Sequence, residues 1–342
     1  MNKTTVGLIL VFVLAYLLPL GSRSLVTPDE TRYGEIAREM NASGDYVVPR
    51  LNGLRYFEKP AGGHFLNAMS MKVFGETRFG VRFASAAMVG LAALALFLLV
   101  RRELDEETAG LATLIYLTSV LVQGVGTFSA LDSMVSGFIT LCLCCFYRAA
   151  TEETTGKKIV ELGMVGLFAG CAFLVKGFLA FAVPVVVIVP FLLWSRQWKR
   201  LFTLPWLPIV GILAVALPWS VAVASREADF WNYFFWEEHV QRFTAAGEAE
   251  HSEPFWFFIP VLLAGAFPWL LLSPLAFWNA VKTKLDHPFT RFALVWLVAP
   301  FLFFSASSGK LPTYILPCFP PLAVLFAVGL LSLVEADRIK PC

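Results

Sequence analysis

Residues 79–100, FGVRFASAAMVGLAALALFLLV, form one of several long apolar runs in this chain. A helix needs about 20 apolar residues to cross the hydrocarbon core of a bilayer, so this run is long enough to span a membrane. The residues that follow it at once are basic, Arg101 and Arg102. The whole chain of 342 residues is 58% hydrophobic and only 15% charged, with a mean hydropathy of +0.70. This composition excludes a water-soluble globule and indicates a protein embedded in a membrane.

Similar apolar runs on both sides of this segment predict about ten membrane-spanning helices. The first run follows Lys3 and resembles a signal peptide. Because further spans follow it, we interpret it as a first helix that is retained. No repeat, low-complexity tract or flexible linker divides the sequence. We therefore predict a single all-α polytopic membrane domain over residues 1–342. Its expected spans are 6–21, 79–100, 107–124, 132–148, 159–175, 177–194, 204–224, 255–278, 289–306 and 312–334.

The stretch 61–75 decides the topology. It is short and interrupted by His64, Asn67 and Lys72, so its length suits a helix lying along the membrane surface. If it does not cross, about twelve cations of the later loops lie on the side of the N-terminus and about four lie opposite. A crossing would reverse this bias. We therefore expect residues 22–78 to lie wholly outside, on one face with the loops 125–132, 225–254 and 306–312.

The first outer loop opens with TPDE at residues 27–30. This pattern predicts a capping box, with Thr27 as the N-cap, Pro28 at the first helical position and Glu30 reaching back. The capping box leaves Asp29 without a role beyond a small helix-dipole effect. A helix is then predicted up to Gly44, with an apolar stripe formed by Tyr33, Ile36, Ala37 and Met40.

Two further polar clusters fall on the same face. FEKP at 57–60 contains Glu58 and Lys59, and EEHVQRF at 237–243 contains His239 and Arg242. A turn with solvated charges and an ordinary surface helix would account for both clusters. Alternatively, Lys59 binds a phosphate. Glu58 and His239 would then share a divalent cation, because carboxylate and imidazole are standard metal ligands.

Three more charged residues lie at the outer ends of predicted helices: Asp132, Lys176 and Lys310. Each has a simple alternative explanation, since an acid at a helix start is often a cap and a lysine at a helix end often snorkels. Together, however, the charges gather at one rim and leave the bilayer core nearly free of charge. An ion-coupled transporter would carry ionisable groups near the midplane. The distribution therefore favours an enzyme that acts on amphipathic lipid substrates at the outer surface.

Several motifs taken in order resemble one family. The acidic pair, FEKP, ALD, EEHVQRF followed by EPFWFFIPVLLAGAFPW, and KLPTYILP are similar to those of the polyprenyl-phosphate-sugar glycosyltransferases of the GT-C fold. Within that fold the chain most resembles the bacterial aminoarabinose transferases that modify lipid A, relatives of the protein O-mannosyltransferases. It departs after Lys59, where it reads KPAGGHF instead of two prolines followed by aromatics. Close relatives continue with more helices and a soluble periplasmic domain, so the chain is either a minimal member or a partial sequence.

The resemblance implies a sugar donor on undecaprenyl phosphate, lipid A or a related acceptor, membrane lipids as further partners, and no nucleic acid. It also implies the bacterial inner membrane, with the active site on the periplasmic face. The family's catalytic acid in the first loop matches Asp29, and a second-loop acid near the site matches Asp132. The remaining matches are a pair associated with a divalent ion such as Zn or Mg, Glu58 and His239, and two residues facing the donor phosphate, Lys59 and Arg242.

The chemistry implied is displacement of a phosphate that is already a good leaving group. Lys59, Arg242 and Lys310, with a divalent ion, would stabilise the departing phosphate, and attack from the opposite face would invert the anomeric carbon. A hydroxyl acceptor needs Asp29 as a general base. A phosphate acceptor needs none, and Asp29 would then orient the sugar through an amino group. The alternatives are a mannosyl-type transferase acting on protein or another glycan, and a transporter or flippase of lipid-linked sugars.

Overall fold

The computed structural model describes the backbone of residues 2–241 and 253–339; the side chains of 237–241, 273 and 336–339 are not described. The chain begins with helix α1, Lys3–Phe12, which continues through a π-helical turn and a 3₁₀ turn as far as Gly21. The first outer loop then folds into α2 (Asp29–Ser43), a hairpin of β1 (Arg50–Leu51) and β2 (Leu54–Arg55), and α3 (Gly62–Phe74).

The remaining elements form the membrane bundle. Its first half contains α4 (Arg78–Glu103), α5 (Glu106–Thr118), α6 (Val120–Gly126), α7 (Leu131–Thr151), α8 (Thr155–Lys176) and α9 (Leu179–Trp194). Its second half contains α10 (Arg200–Thr203), α11 (Trp206–Arg226), a π-helical segment Asn232–Gln241, α12 (Phe258–Gly265), α13 (Ser273–Lys284), α14 (Pro288–Ala306), a 3₁₀ segment Pro312–Cys318 and α15 (Phe319–Ile339). The described chain is thus almost entirely helical, as the sequence predicts.

The structure does not confirm ten spans. Among the described residues, seven helical segments are long and apolar enough to cross a membrane, and α5 with α6, bent by 63° at Ser119, make an eighth. Helix α9 has 16 residues, about 24 Å at the α-helical rise, which is short of a hydrocarbon core of about 30 Å. The predicted span 255–278 is wrong as one helix, because α12 ends at Gly265 and α13 begins at Ser273, beyond the Phe267–Pro268 bond.

The apolar surface of the bundle suits a lipid surrounding. The segment Lys3–Gly21 and the segment Arg200–Arg226 are each only 11% buried inside the protein, although both are strongly apolar. In water such faces would be unfavourable, whereas lipid tails solvate them without cost. By contrast, the last helical segment, Pro312–Glu335, is 83% buried and lies in the interior of the bundle.

Different ion pairs and hydrogen bonds hold the two ends of the bundle. At one end, ion pairs join α4, α7 and α8 through Arg102 with Glu152 and Arg148 with Glu161. At the other end the first loop meets the loops at 125–132 and 225–234. The loop before α7 reaches the first loop through Ser129, whose N–H donates to Glu30, and the loop at 225–234 reaches it through Glu227, which is ion-paired with Arg55. The structure therefore brings three of the predicted outer loops together at one end.

Helix α3 does not carry the chain across the bundle. Its 13 residues span about 20 Å. The residues just before it lie beside α2, and Arg82, in the first turns of the helix that follows, is ion-paired with Glu30 of α2. Both ends of α3 are therefore at the outer end, as the cation bias of the loops predicts. Its placement along the membrane surface stays a prediction.

Candidate functional site

The start of α2 is not the predicted capping box. The helix begins at Asp29, its N-cap position is Pro28, and no side chain caps it, so Thr27 does not act as the N-cap. The end of the helix agrees with the sequence, because Gly44 is the C-cap at φ +71°, a conformation that suits glycine. The predicted apolar stripe is also found, with Ile36, Ala37 and Met40 buried.

Glu30 does not cap the start of α2 but holds several segments of the protein together. Its side chain is fully buried and receives two hydrogen bonds from Arg82, from Nε to Oε1 at 2.6 Å and from Nη2 to Oε2 at 2.7 Å. Arg23 Nη1 donates to Oε2 at 2.8 Å, and the backbone N–H groups of Val26 and Ser129 add bonds of 2.9 and 3.0 Å. We call Arg23, Val26, Glu30, Arg82 and Ser129 the Glu30 cluster. It ties the end of the first span, α2, α4 and the loop before α7 together.

The ionisation of Glu30 follows from these contacts. Burial alone would raise the pKa of this carboxyl, since a charge is poorly solvated inside the protein. The hydrogen bonds from Arg82, then from the backbone of Ser129 and Val26 and from Arg23, outweigh burial and lower the pKa of Glu30 to about 2. Glu30 is therefore a fixed anion and is not available to transfer a proton.

Asp29, the neighbour of Glu30, faces outward. Its side chain is 47% exposed, and its Oδ1 accepts a hydrogen bond of 2.6 Å from Arg32 Nη2. Arg32 also lies 3.9 Å from Glu58 Oε2 and over the rings of Tyr33 and Tyr56, at 5.2 and 6.0 Å from their centroids. We call Asp29, Arg32, Tyr33, Tyr56 and Glu58 the Arg32 cluster. The sequence shows Arg32 only as one of many cations in the loop, although its i, i+3 spacing from Asp29 is a usable signal.

Glu58 belongs to this cluster, and Lys59 lies beside it. Glu58 Oε2 accepts a hydrogen bond of 2.9 Å from the Tyr56 hydroxyl, and Lys59 Nζ donates to the backbone carbonyl of Glu58 at 2.8 Å. Their predicted partners are His239 and Arg242. The side chain of His239 is not described, and Arg242 lies outside the described residues. The shared metal and the shared phosphate therefore stay predictions.

The first loop is nevertheless docked onto the segment that leads to His239. Arg55 Nη1 donates to Glu227 at 2.6 Å, and Trp219 Nε1 donates to the carbonyl of Val47 at 2.9 Å. The ring of Phe57, just before Glu58, packs edge-on against Phe230. The backbone at Glu58 is therefore held next to the start of the second large outer loop, as a site shared by the two loops requires.

Asp132 and Lys176 form a second acid–base pair. Asp132 lies in the first turn of α7 and is ion-paired with Lys176, the last residue of α8. The Lys176 ammonium also lies 4.5 Å from the centre of the Tyr314 ring. Lys176 is thus a partner of Asp132, a role that its predicted position in a short turn does not reveal.

Tyr33 is the residue that the two acid–base pairs share. The pKa of its phenol is raised to about 12, chiefly by burial, while the charges of Arg32, Asp132, Asp29 and Lys176 act on it in opposing directions. Asp29 and Asp132, the two acids predicted from the sequence, are therefore both near enough to Tyr33 to act on its phenol.

Lys310 is placed differently from its prediction. Its side chain is almost fully buried, and Nζ donates to the carbonyls of Glu253 and Ser307 at 2.7 and 2.6 Å. Two of its three N–H groups are therefore used to hold loop backbone. These contacts make Lys310 a tie between the loops that precede α12 and follow α14, and its role in binding the substrate stays a prediction.

His64 is a site feature that sequence reasoning passed over. It lies in the first turn of α3, fully buried, with Tyr33 and Tyr56 at ring distances of 5.5 and 5.6 Å. Neither ring nitrogen has a hydrogen-bond partner in the described part of the chain. Burial, followed by the charges of Arg32 and Lys59, lowers the pKa of the imidazole to about 3, so His64 is neutral.

The departure KPAGGHF has a structural reason. Helix α3 begins against α8 and α7 with no room for side chains: a Cβ at Gly62 would lie 2.7 Å from Leu174, and one at Gly63 would lie 2.4 Å from a methyl of Leu131. The two glycines therefore let the start of α3 press against the bundle, and this close contact brings His64 under the tyrosines.

A small cavity adjoins the second acid–base pair. Apart from Asp132, Lys176 and Tyr314, its walls are mainly apolar. The lining residues are Val135, Ile139, Leu179, Val183, Phe304, Thr313 and Pro317. The cavity, of about 10 Å³, has room for one water-sized group only.

Among the described side chains, the predicted metal ligands do not form a complete site. No group of three or more His, Cys, Asp and Glu is arranged to hold an ion there. Glu58 contributes one carboxylate, which is already hydrogen-bonded to Tyr56 and lies 3.9 Å from the cationic Arg32. Because the side chain of His239 is not described, the predicted pair of ligands is not complete here, and the divalent ion stays a prediction on which no chemical step below depends.

Known proteins resemble the chain over nearly its whole length. Residues 1–234 match the family model described as dolichyl-phosphate-mannose-protein mannosyltransferase. The chain is 46% identical to the undecaprenyl phosphate-alpha-4-amino-4-deoxy-L-arabinose arabinosyl transferases of Shewanella sediminis and Aeromonas hydrophila. Each match covers 99% of this chain but 62% of the relative, so the chain spans about three-fifths of the length of these curated relatives.

Solved structures show the same fold. The crystal structure of ArnT from Cupriavidus metallidurans bound to undecaprenyl phosphate matches 99% of this chain and 61% of that protein, at 31% identity and a TM-score of 0.89. The oligosaccharyltransferase AglB from the archaeon Archaeoglobus fulgidus matches at a TM-score of 0.60 and 13% identity, covering 98% of this chain and half of that one. This second likeness concerns the fold alone and agrees with the GT-C architecture expected from the motifs.

Proposed function

The chain belongs to the dolichyl-phosphate-mannose-protein mannosyltransferase family, and we propose that it transfers 4-amino-4-deoxy-L-arabinose from undecaprenyl phosphate to lipid A or a related acceptor. The proposed place of reaction is the periplasmic face of the bacterial inner membrane. The observation that carries the proposal is that two acid–base pairs, Asp29 with Arg32 and Asp132 with Lys176, both lie near enough to Tyr33 to act on its phenol, at one end of an apolar bundle. The printed names of the relatives support the choice of donor sugar.

The donor phosphate is proposed to leave toward Lys59. Its ammonium lies at the outer end against the carbonyl of Glu58, and the cationic Arg242 follows in the second outer loop. Positive charge placed where the leaving phosphate gains negative charge stabilises the transition state. Attack on the sugar from the side opposite the phosphate inverts the anomeric carbon. A divalent ion held by Glu58 and His239 stays a separate prediction, to be tested by metal analysis of the purified protein.

Asp29 is proposed as the acid that faces the reacting sugar. Glu30 is a buried, fully paired anion, and Asp132 is neutralised by Lys176, whereas Asp29 is nearly half exposed. With a hydroxyl acceptor, Asp29 would take the proton as a general base. With a lipid A phosphate as acceptor, no proton has to be removed, and Asp29 would orient the sugar.

The test is transfer by the full chain in liposomes. Wild-type protein and Asp29→Asn are given the aminoarabinosyl undecaprenyl phosphate and lipid A, and the products are measured by mass spectrometry. Modified lipid A from the wild type only is the expected result. Movement of intact donor between leaflets without sugar transfer would identify a flippase instead.

A mannosyl-type transferase is the second candidate, favoured by the description of the matching family model. The same liposomes given mannosyl undecaprenyl phosphate and a protein or glycan acceptor distinguish the two. Transfer of mannose at a rate above that of aminoarabinose would replace the first proposal with the second.

A further inference from the structure

A groove with charged walls lies at the inner end of the bundle, opposite the candidate site. Its volume is about 480 Å³, far larger than that of the cavity beside Asp132. The groove is formed where α4 and α7 end and α8 begins. Its charged lining consists of Arg102, Arg148, Glu152, Lys157 and Glu161. The proposed transfer reaction uses none of these residues.

The carboxylates of this groove are engaged by the chain itself. Glu161 Oε1 lies 2.6 Å from Arg148 Nη2, and Glu161 also accepts a hydrogen bond from the thiol of Cys145. Glu152 Oε1 accepts from the backbone N–H of Thr154 at 3.1 Å. Both acids are largely buried, because only 13% and 17% of their side-chain surfaces are exposed. They therefore tie the helix ends together rather than present acceptors to a cationic ligand.

Two cations of the groove, by contrast, keep open donors. Arg102 Nη2 lies 3.6 Å from Glu152 Oε2, and its Nε lies 3.5 Å from Glu103 Oε1. Both distances exceed the length of a charge-assisted hydrogen bond, which is about 2.7–2.9 Å. Lys157 is exposed and forms neither a hydrogen bond nor an ion pair within the described part of the chain, although its charge acts on Glu152. Since guanidinium and ammonium groups are donors only, these two residues suit an anion that offers oxygen acceptors.

The charges around the groove also favour an anion. Three cations and two carboxylates line it, so the lining sums to +1. Two cations and two acids flank it and cancel: Arg101, Lys158, Glu103 and Glu153. At the start of α5, Asp105 caps the helix, Glu106 bonds Asn2 and Glu107 is exposed. Arg200 adds a cation near the end of α7, where it donates to the carbonyl of Ala150. One phosphodiester, with its single negative charge, therefore balances the lining.

The groove lies at the depth of lipid headgroups. Helix α4 has 26 residues, about 39 Å at the α-helical rise, whereas the bilayer measures about 30 Å across its hydrocarbon core and about 40–45 Å with its headgroups. Because α4 begins at the outer end, its last turn, which carries Arg102, reaches the headgroups of the opposite leaflet. Val160 lines the groove and Ile159 is its neighbour, and they are 64% and 54% exposed. Exposed apolar side chains beside the charges suit the acyl chain that follows a headgroup.

We propose that this groove binds the phosphodiester headgroup of an anionic phospholipid from the inner leaflet. Arg102 and Lys157 donate to the phosphate oxygens, Arg148 stays paired with Glu161, and Val160 lies against the start of an acyl chain. The bound lipid bridges the inner ends of α4 and α8. An ethanolamine headgroup finds no open acceptor for its ammonium, so a glycerol headgroup binds more tightly. The site is separate from the transfer reaction and does not depend on the proposed function.

The experiment measures lipid binding to the full chain in detergent by native mass spectrometry. The lipids are phosphatidylglycerol, phosphatidylethanolamine and diacylglycerol, the last of which lacks the phosphate. Glycerophosphoglycerol, the deacylated headgroup, is added as a competitor, because it offers the same phosphodiester without acyl chains. Arg102→Gln and Lys157→Gln each remove one of the two open cations. Arg101→Gln is the matched control, since it removes the neighbouring cation of the same helix, which lies over the ring of Phe97.

A second variant fills the groove without changing any charge. Gly156 lines the groove, and a Cβ at this position would meet nothing within 4 Å, so Gly156→Phe places a ring in the open space. Gly7→Phe is its control, because Gly7 is exposed on another helix and has equally open surroundings. The unfolding temperature of every variant is measured beside its lipid binding, so that a loss of binding is not confused with a loss of fold.

Phosphatidylglycerol is expected to bind more tightly than phosphatidylethanolamine, and diacylglycerol should not bind. Arg102→Gln and Lys157→Gln should each raise the Kd for phosphatidylglycerol about fivefold, which corresponds to about 1 kcal/mol for each basic residue at a membrane surface. Gly156→Phe should raise this Kd at least as much. The controls Arg101→Gln and Gly7→Phe should leave it unchanged, and glycerophosphoglycerol should not compete.

Several results would overturn the inference while leaving the proposed function intact. Equal losses of binding in Arg101→Gln and Arg102→Gln would show only a diffuse attraction by surface cations. Equal binding of the three lipids would mean that only acyl chains are held. Competition by glycerophosphoglycerol would assign the groove to a soluble phosphate compound. Unchanged binding in Gly156→Phe would place the lipid elsewhere, and this variant together with Lys157→Gln decides the matter if Arg102→Gln does not fold.

Discussion

Asp29 and Glu30 are adjacent acids with opposite surroundings. The Asp29 side chain is 47% exposed and shares one short hydrogen bond with Arg32, whereas Glu30 is fully buried and accepts from Arg82, Arg23 and two backbone N–H groups. The Arg32 cluster keeps open acceptors, and the Glu30 cluster has used the lone pairs that its carboxylate offers. Glu30 therefore holds the first outer loop in place, and Asp29 remains accessible to a substrate.

The largest effect is expected from breaking the Glu30 cluster. Glu30→Gln removes the counter-charge of Arg82, which is also fully buried, and an unpaired buried charge typically costs about 3–5 kcal/mol. We expect a large drop in the thermal unfolding temperature in detergent. The matched control is Glu35→Gln, since Glu35 pairs with Arg38 in a partly exposed i, i+3 bridge that contributes about 0–1 kcal/mol. Similar small losses in both variants would contradict the structural role of Glu30.

The same cluster should make stability depend on acid. The pKa of Glu30 is lowered to about 2 in the folded protein from 4.5, so its contribution is complete above about pH 4.5 and is lost as pH falls toward 2. Unfolding temperatures measured across this window should fall for the wild type and be flatter for Glu30→Gln. Parallel curves for the two proteins would show that Glu30 is not the group that titrates.

Asp29→Asn should lower transfer much more than stability, the reverse of what is expected for Glu30→Gln. Because Asp29 lies at the surface and has a single side-chain partner, its loss should cost about 1 kcal/mol of stability or less. Transfer, however, should fall by about 10²–10⁴-fold if Asp29 acts as a general base. Rates are compared at equal amounts of folded protein. Near-normal transfer in Asp29→Asn would remove this acid from the reaction.

The sequence predicted that Asp29, and not Glu30, is the acid that the fold does not need. The reason it offered differs from the one that the structure gives. The TPDE pattern left Asp29 unexplained, and the structure agrees that it is the accessible one. The pattern failed for Glu30, because capping is a local interaction whereas its partner Arg82 is 52 residues away. No local pattern reports a contact at that separation, and Arg82 itself lies hidden in the apolar run 79–100 that indicates a span.

The same limit explains the other results. Apolar length predicted helices correctly, yet it could not show that Ser119 bends one span or that the segment around Pro268 breaks another. The rim residues Asp132 and Lys176 were each ambiguous alone, and only the packing of α7 beside α8 pairs them. Lys310 appeared free in its loop but is buried against two carbonyls. Helix formation is a local property, whereas the site depends on which ends of the helices meet.

Lys59→Ala tests the predicted contact between Lys59 and the donor phosphate. Losing one charge-assisted contact should weaken donor binding by about 1.5–3 kcal/mol, seen as a higher Kd for undecaprenyl phosphate. Arg242→Ala is expected to act alike, and the double variant should lose less than the sum, because groups that share one ligand are coupled. Additive losses of a few tenths of a kcal/mol would mean that both cations are only solvated neighbours at the membrane surface.

The smallest effect is expected at Thr27, and it separates the two explanations of the TPDE motif. A true N-cap loses about 0.5–2 kcal/mol when replaced by alanine. Thr27 is exposed and does not cap α2, so Thr27→Ala should change stability by no more than about 0.5 kcal/mol. Asp105 provides the comparison, because its Oδ1 accepts from Thr108 N–H at 2.7 Å as the real N-cap of α5. Asp105→Ala should therefore lower the unfolding temperature more than Thr27→Ala. Equal losses would restore the capping box, and Glu30 would then serve the local helix start as well as the distant Arg82.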